Sequence, residues 1–564
     1  MPPRKTTSLL RNVISQLRKR ARVTTLSDST GASLTGRQTL LRGLVLRRLL
    51  RRAVGPDERN IGVLLPPTAA AAVANIALAL DRRVAVNLNY SLSEELIRFS
   101  LQEAGLRHVI TSRAFLQRMP IDLGGVDVIL LEDLASRASA VDKGMAGLLS
   151  FLPLPLLERI LGIDAIPEDD LMTIIFTSGS TGRPKGVMLP WRSIEANSEM
   201  IDALLRLRSD DVMLGVLPFF HTFGYTITLW TMLAMGVGAV YHTNPLEARV
   251  IGRLIRERGV TILLGTPTLL RAYMRRLSPE DFASVEIVAT GSERLPQSVA
   301  DDFERKFGIR PFQGYGATEL GPIVSANVPA ARALGDPSTA LREGTVGRPA
   351  RGVRVEVRDP GTGAVLGTGE RGLLWVTGPH IMLGYLNQPD LTSAVLHDGW
   401  YNTGDVATID EDGFITIVGR ESRFAKVGGE QVPFAAVEEA LAMLTGGSED
   451  GVLRAVVTAV PDESTGERLV VIHTALDRSP GELVKELAKA GLPRLFIPTP
   501  VDFYEIDTMP LIGIGKVDLE AINRFAQQAS AGRQTRHKAS QSSTATTGAS
   551  GGQETAHASK PPAV

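Results

Sequence analysis

The sequence predicts an α/β protein: a large N-terminal body that includes a β-rich subdomain, followed by a small α/β C-terminal domain. Three observations carry this. Short apolar runs rich in β-branched residues recur between longer Ala/Leu/Arg/Glu stretches, as in layered folds that alternate strand and helix. After about residue 345 the alternation gives way to strand runs punctuated by Gly, Pro and Asp. From about residue 420 strand and helix patterns alternate again.

Residues 1–30 read as a basic segment with a short helix around ISQLRKR. The stretch LTGRQTLLRGLVLRRLL, from residue 34, has the apolar spacing of a partly buried helix. Ile61–Leu80 carries no charge and is long enough to resemble a membrane span. Pro66-Pro67 and Asn75 interrupt it, so it reads as a buried strand, a turn and an Ala-rich core helix. Strands are expected at IGVLLP, VIT, VDVILLE, MTIIFT, DVMLGVLP, VTILLG and VEIVAT, with Ala, Leu, Arg and Glu favouring helix between them. The segment at 144–160, GMAGLLSFLPLPLLERI, is either a buried connection or a surface flap that touches lipid or an acyl chain. VRVEVRDPGTG, GLLWVTG and GFITIVGR supply the β-rich subdomain. The expected divisions are 1–30, 31–419, 420–528 and a Ser/Thr/Gln/Gly-rich tail at 529–564 that lacks an apolar period.

Composition narrows the chemistry. The chain has 564 residues, 44% of them apolar, which excludes disorder of the whole. It has no cysteine, which excludes disulfides, cysteine nucleophiles and zinc–thiolate sites. The net charge of zero is uneven: the first 52 residues hold 13 Lys/Arg and one acid, Asp28, leaving −12 on the remainder. No zinc-finger spacing or aromatic platform accompanies the basic stretch, so nucleic acid is not expected as a partner. The start of the chain lacks an apolar core followed by a small-residue cleavage site, which argues against secretion.

The strongest local signal is IIFTSGSTGRPKGVMLP at 174–190. An apolar strand feeds a loop of Thr177, Ser178, Gly179, Ser180, Thr181 and Gly182, followed by Lys185. Glycines let backbone amides close around an anion, hydroxyls donate to phosphate oxygens, and the lysine adds charge. The order is neither GxxxxGK[S/T] nor GxSxG, so a Walker A loop and a hydrolase elbow are excluded.

This string resembles the phosphate loop of the adenylate-forming superfamily, and further motifs follow in that family's order from about residue 30 to 525. The resemblance implies a mobile C-terminal domain, ATP and Mg²⁺. In GYGATE it implies that Tyr315 and Gly316 lie at adenine, Thr318 at phosphate and Glu319 on the metal, with Thr177 as a second metal ligand. In GSERL it implies adenine-side contacts from Gly291, Ser292 and Glu293. In WYNTGD, Asp405 would accept from the ribose hydroxyls, and in GRESRFAKVGG, Arg420 would contact ribose or phosphate. The hinge position falls on Ser422, where the family often has Asp or Lys, which changes the local charge there. Lys426 matches a basic residue of the thioester-forming face. Lys516, in IGIGKVD, would reach the carboxylate and α-phosphate during adenylation.

His221, in LPFFHTFGYT, matches the acyl-pocket position, with Phe219, Phe220 and Phe223 beside it and Thr266 and Pro267 further along. An α-amino acid substrate would need a counter-charge where this sequence reads FHTFG, so a fatty or other hydrophobic acid is favoured. LPFFHTFGYT, QGYGATELGPIVSANVP, GPHIMLGYL and LIGIGKVD look like the synthetase half of bifunctional acyl-acyl carrier protein synthetase/2-acylglycerophosphoethanolamine acyltransferases. That likeness implies acyl transfer to the phosphopantetheine thiol of acyl carrier protein. Transfer to CoA is the close alternative, and a non-catalytic lipid-binding scaffold is the alternative of another class. ATP and carrier thiols place such an enzyme in the cytoplasm, with peripheral contact at the inner membrane face open.

Overall fold

The computed structural model describes residues 6–177, 183–333, 340–428, 430–445, 454–462, 464–490, 492–512 and 516–531. The chain forms two compact units, and the division falls between Ser422 and Arg423.

Two large sheets organise the first unit. One runs in the order Gly384–Tyr385, Lys185–Pro190, Leu171–Thr177, Val84–Asn87, Asn60–Val63, His108–Thr111 and Asp127–Leu130. The other runs Arg348–Pro349, Ile323–Ala326, Phe312–Gly316, Ile287–Thr290, Ile262–Gly265, Val212–Gly215, Gly238–Tyr241, Thr24–Asp28 and Ser33–Thr35. The inner strands of this second sheet pair in parallel, as crossover helices require. Ile262–Gly265 and Ile287–Thr290, inside this sheet, are buried along their whole length because both faces are covered.

The uncharged stretch at 61–80 is core. Ala69–Leu80 is a helix with all but one of its residues buried, and it touches strands of both sheets. A helix that is apolar all round needs neighbours on every side, and alanine lets two sheets approach it. Thr68 caps it through the Ala71 amide. Asp28, the single acid among the first 52 residues, accepts from the Ala69 amide at 2.9 Å and so serves the same helix end. Asn75, inside the helix, bonds Asn87 of the adjacent strand.

The basic start belongs to this body. Leu9–Lys19 is a helix that buries Leu9, Leu10, Val13, Ile14 and Leu17, and Thr24–Asp28 is an inner strand. The helix Gly36–Ala53 starts with a capping box between Thr35 and Gln38. Several of the positive charges answer internal acids. Arg47 and Arg83, both buried, pair with Asp81 at 3.3 and 2.8 Å. Arg52 and Arg48 pair with Asp142, and Arg11 grips Glu158 through two nitrogens. The charge imbalance along the sequence is thus partly cancelled in space.

The β-rich subdomain of the first unit is a sheet of Arg354–Arg358, Gly372–Thr377, Trp400–Ile409 and Leu396–His397, with Ile415–Arg420 further along the same edge of Trp400–Ile409 as Leu396–His397. In the second unit the sheet runs Glu430–Pro433, Phe424–Val427, Gly466–His473 and Ala455–Asp462, with Phe503–Glu505 beside Gly466–His473. Side chains alternate across it: Val457 and Val471 face a core with Val437 and Leu487, whereas Val456, Val470 and Ile472 face Ile522 and Ala526. Helical residues continue to 531; the expected tail beyond that lies outside the described residues. Among the described residues no helix is long and apolar enough to cross a membrane.

Candidate active site

Four of the predicted segments follow the carboxyl ends of parallel strands in one sheet. His221 comes after Val212–Gly215, Thr266 after Ile262–Gly265, Gly291 after Ile287–Thr290, and Gly316 closes Phe312–Gly316. Loops at this edge of a parallel sheet converge on one crevice, the usual place for a ligand in open α/β folds.

The loop chemistry at this edge is specific. Residues 223–231 form a π-helical segment, a rare geometry that concentrates at functional sites. It is entered through a turn in which the Phe223 amide donates to His221 Nδ1 at 3.3 Å. Gly224 is required there: a Cβ would lie 2.3 Å from the Pro218 carbonyl oxygen. The Phe223 ring packs against Gly291, joining the His221 turn to the GSERL loop. Ser292 is held at φ +67°, a left-handed conformation uncommon for a residue with a Cβ. Glu293 accepts from Thr268 at 3.0 Å, and the Leu295 amide donates to Gln313 on the next strand. Gly316 is again obligatory, since a Cβ would strike the Pro322 carbonyl.

Thr177 and Lys185 are partners across the antiparallel strands Leu171–Thr177 and Lys185–Pro190. Ser178, Gly179, Ser180, Thr181 and Gly182 lie outside the described residues. The Lys185 ammonium sits 5.3 Å from the centre of the Tyr385 ring. Tyr385 in turn donates its hydroxyl to Glu319 Oε1 at 2.8 Å. Glu319 is on a single turn at Thr318–Leu320, fixed by its carbonyl accepting from the Met382 amide. Burial pushes the Tyr385 phenol up, and the Glu319 charge adds to that, so it is a donor at neutral pH.

A second cluster lies alongside. Asp405 is buried and is the cross-strand partner of Arg420. Its Oδ1 accepts from Arg420 Nε at 3.0 Å, and its Oδ2 accepts from the Tyr315 hydroxyl. The fields of Asp405 and then Glu319 raise the Arg420 pKa, which ties the two clusters into one charged site. Burial, with Glu319 and Tyr385 adding to it, also raises the Tyr401 phenol.

Tyr385 and Tyr401 are functional candidates that the residue-by-residue reading did not single out, although both stand inside quoted motif strings, GPHIMLGYL and WYNTGD. The structure also divides the phenylalanines at 219–223. Phe219 packs edge-to-face on Tyr241 in the core, whereas Phe220 packs on Tyr90 and Phe223 on Gly291. Thr266 is buried and caps the helix Pro267–Arg276. Lys426, on Phe424–Val427, and Lys516, on Lys516–Val517, belong to the second unit. The Lys426 amide donates to Glu467.

Comparison with known proteins bears on the family and the fold. Residues 14–386 match the family model of the AMP-binding enzymes. The chain is 30% identical over 359 residues to a long-chain-fatty-acid–CoA ligase of Bacillus subtilis (strain 168), covering 62% of this chain and 61% of that one. It thus spans about three-fifths of the length of that relative and of a similar ligase from Yersinia pestis. It is 28% identical over 515 residues to 4-coumarate–CoA ligase 2 of Oryza sativa subsp. japonica, covering 87% of each chain. Among solved structures, ATP-bound MatB from Rhodopseudomonas palustris superposes with a TM-score of 0.76 at 22% identity, over 91% of this chain and 98% of that one. The fold is that of the adenylate-forming enzymes. The chain belongs to the AMP-binding enzyme family. The narrower bifunctional subgroup rests on the sequence motifs alone.

Proposed function

We propose that the protein is an AMP-forming acid–thiol ligase that activates a fatty acid with ATP and passes the acyl group to CoA. The observation that carries this reading is the continuous polar site Lys185–Tyr385–Glu319 beside Tyr315–Asp405–Arg420. It offers cation, carboxylate and paired acceptor oxygens in the arrangement that a triphosphate and a ribose require. The names of the curated relatives favour CoA over acyl carrier protein as acceptor. Carrier protein, placed first by the motif resemblance, is the competing arm of the test.

In the first half-reaction a carboxylate oxygen attacks the α-phosphorus and pyrophosphate leaves. The acid is already ionised at neutral pH, so no base is needed. Lys185 and the loop at 178–182 hold the leaving phosphates, Thr318 contacts the phosphate chain, and Tyr315, with Gly316 and Gly291–Glu293, borders the adenine. Asp405, held by Arg420 and Tyr315, accepts from the ribose hydroxyls through the remaining lone pairs of its two oxygens. Lys516 neutralises charge at the reacting oxygens. Glu319 and Thr177 suit Mg²⁺, which takes one or two protein oxygens and fills its remaining positions from phosphate and water. Bound there, it would offset phosphate repulsion. In the second half-reaction the thiol sulfur attacks the acyl carbon and AMP leaves. His221 borders the acyl group, and the motif resemblance assigns Lys426 to the thioester-forming step. The chain needs no cysteine of its own, because the thiol arrives on the acceptor.

The test is fatty-acid-dependent ATP–pyrophosphate exchange, followed by mass spectrometry of thioester with CoA and acyl carrier protein side by side. Exchange with palmitate and acyl-CoA as product is expected. Absence of exchange across chain lengths overturns adenylation, and acyl carrier protein as the sole acceptor overturns the CoA assignment. Lys516→Ala is expected to lower exchange by about 10²–10³-fold.

A further inference from the structure

The segment at 144–160, open between core and surface in the sequence, forms two short helices with an outward apolar face. In Ala140–Phe151 the residues Val141, Met145, Leu148 and Phe151 recur at helical spacing and are exposed, Val141 by 68%, Leu148 by 59% and Phe151 by 71%. In Leu154–Leu161, Leu156 and Ile160 continue the face, at 46% and 52%. The opposite sides, with Ala146, Leu149, Leu157 and Leu161, are buried in the body. Ordinary surfaces scatter such residues singly, whereas here six fall on two consecutive helices.

Charge says what covers it. The only acids in residues 140–161 are Asp142 and Glu158. Both side chains are turned inward: Asp142 to Arg52 and Arg48, and Glu158 to Arg11. These hydrogen bonds, that from Arg52 first, hold the Asp142 carboxyl below the usual carboxylate range. The charges of the two helices left facing outward are the cations Lys143 and Arg159, and Arg37 lies over the Phe151 ring at 5.0 Å. At 12 and 8 residues, with Pro153 and Pro155 at their junction, neither helix can span a bilayer. An apolar face whose own outward charges are cations suits a helix pair lying flat at the surface of an anionic membrane.

We infer that Ala140–Leu161 docks the protein on anionic lipid bilayers, inserting Leu148 and Phe151 among the acyl chains while Lys143 and Arg159 meet lipid phosphates. Six apolar side chains against two cations favour a bilayer over an acidic protein partner. The inference stands on this surface and not on the ligase reading.

The test is cosedimentation of the full-length protein with phosphatidylcholine vesicles, with and without one-quarter phosphatidylglycerol. Binding to the anionic vesicles, at least tenfold weaker on neutral ones, is expected. Leu148→Glu with Phe151→Glu should lower that binding tenfold or more at an unchanged thermal melting point. Phe151→Trp should keep binding and gain quenching by brominated lipid over the wild type. Three results overturn the proposal: no vesicle binding, binding indifferent to the glutamates, or a dimer or carrier-protein complex that the glutamates dissociate without any vesicle affinity.

Discussion

Asp405 accepts from an arginine and a tyrosine at once, so the orientation of its carboxylate is fixed. Asp405→Ala removes both internal bonds and both acceptor oxygens, and the KM for ATP is expected to rise about 100-fold, read in the exchange assay. Tyr385 does two things with one side chain: its ring faces Lys185 and its hydroxyl holds Glu319. Tyr385→Phe keeps the ring and drops the donor. A rise of about tenfold in the Mg²⁺ concentration for half-maximal activity is expected, with little change in KM for the fatty acid. Tyr385→Leu loses the cation–π contact as well and should fall further. Asp405 and Lys185 could be named as candidates because their motif strings are long and ordered. Tyr385 was not, because its meaning comes from pairing Gly384–Tyr385 with Lys185–Pro190, strands some 200 residues apart in the chain.

Between residue and molecule, the element that best shows sequence and packing at work is Gly36–Ala53. Its arginines look like a solvated basic face in the sequence. In the fold Arg47 is buried and shares Asp81 with Arg83. Asp81→Asn leaves two buried cations without their counter-ion, and a loss of about 3–5 kcal/mol is expected in urea unfolding. Charge pattern alone could not reveal this, because Asp81 sits at the end of another helix, Ala69–Leu80. That helix, by contrast, was legible as core: after Pro66-Pro67 it is uncharged and apolar but for Asn75, which leaves burial as the stable state in water. The helices at 140–161 fall between these cases. Their spacing gives two faces, but which one turns outward depends on where Arg11, Arg48 and Arg52 capture Glu158 and Asp142.

At the scale of the whole molecule, acid stability is set in part by groups that the fold buries uncharged. His380 is fully buried, with no hydrogen-bond partner for either ring nitrogen among the described residues. Burial, with Arg192 adding to it, lowers its pKa to about 4. The sign follows from linkage: below pH 6.5 the unfolded chain takes up a proton that the folded one refuses. The stability His380 withholds therefore grows as pH falls from 6.5 towards 4, reaching about 2 kcal/mol at pH 5. His380→Asn should show a correspondingly shallower loss of stability between pH 7 and pH 5, measured by urea unfolding against the wild type. An equal pH dependence in both proteins would contradict the burial argument.

The sequence by itself determined the α/β class, the strand runs, the core identity of 61–80 and the order of the nucleotide motifs. Each of these is written in local spacing or in a contiguous string, and nearest neighbours along the chain enforce it. Tertiary structure alone decided which residues complete the site, where the basic start finds its acids, and which face of 140–161 is left to solvent. Those outcomes depend on partners brought together from distant positions by the two sheets, and a one-dimensional pattern carries no distance between them.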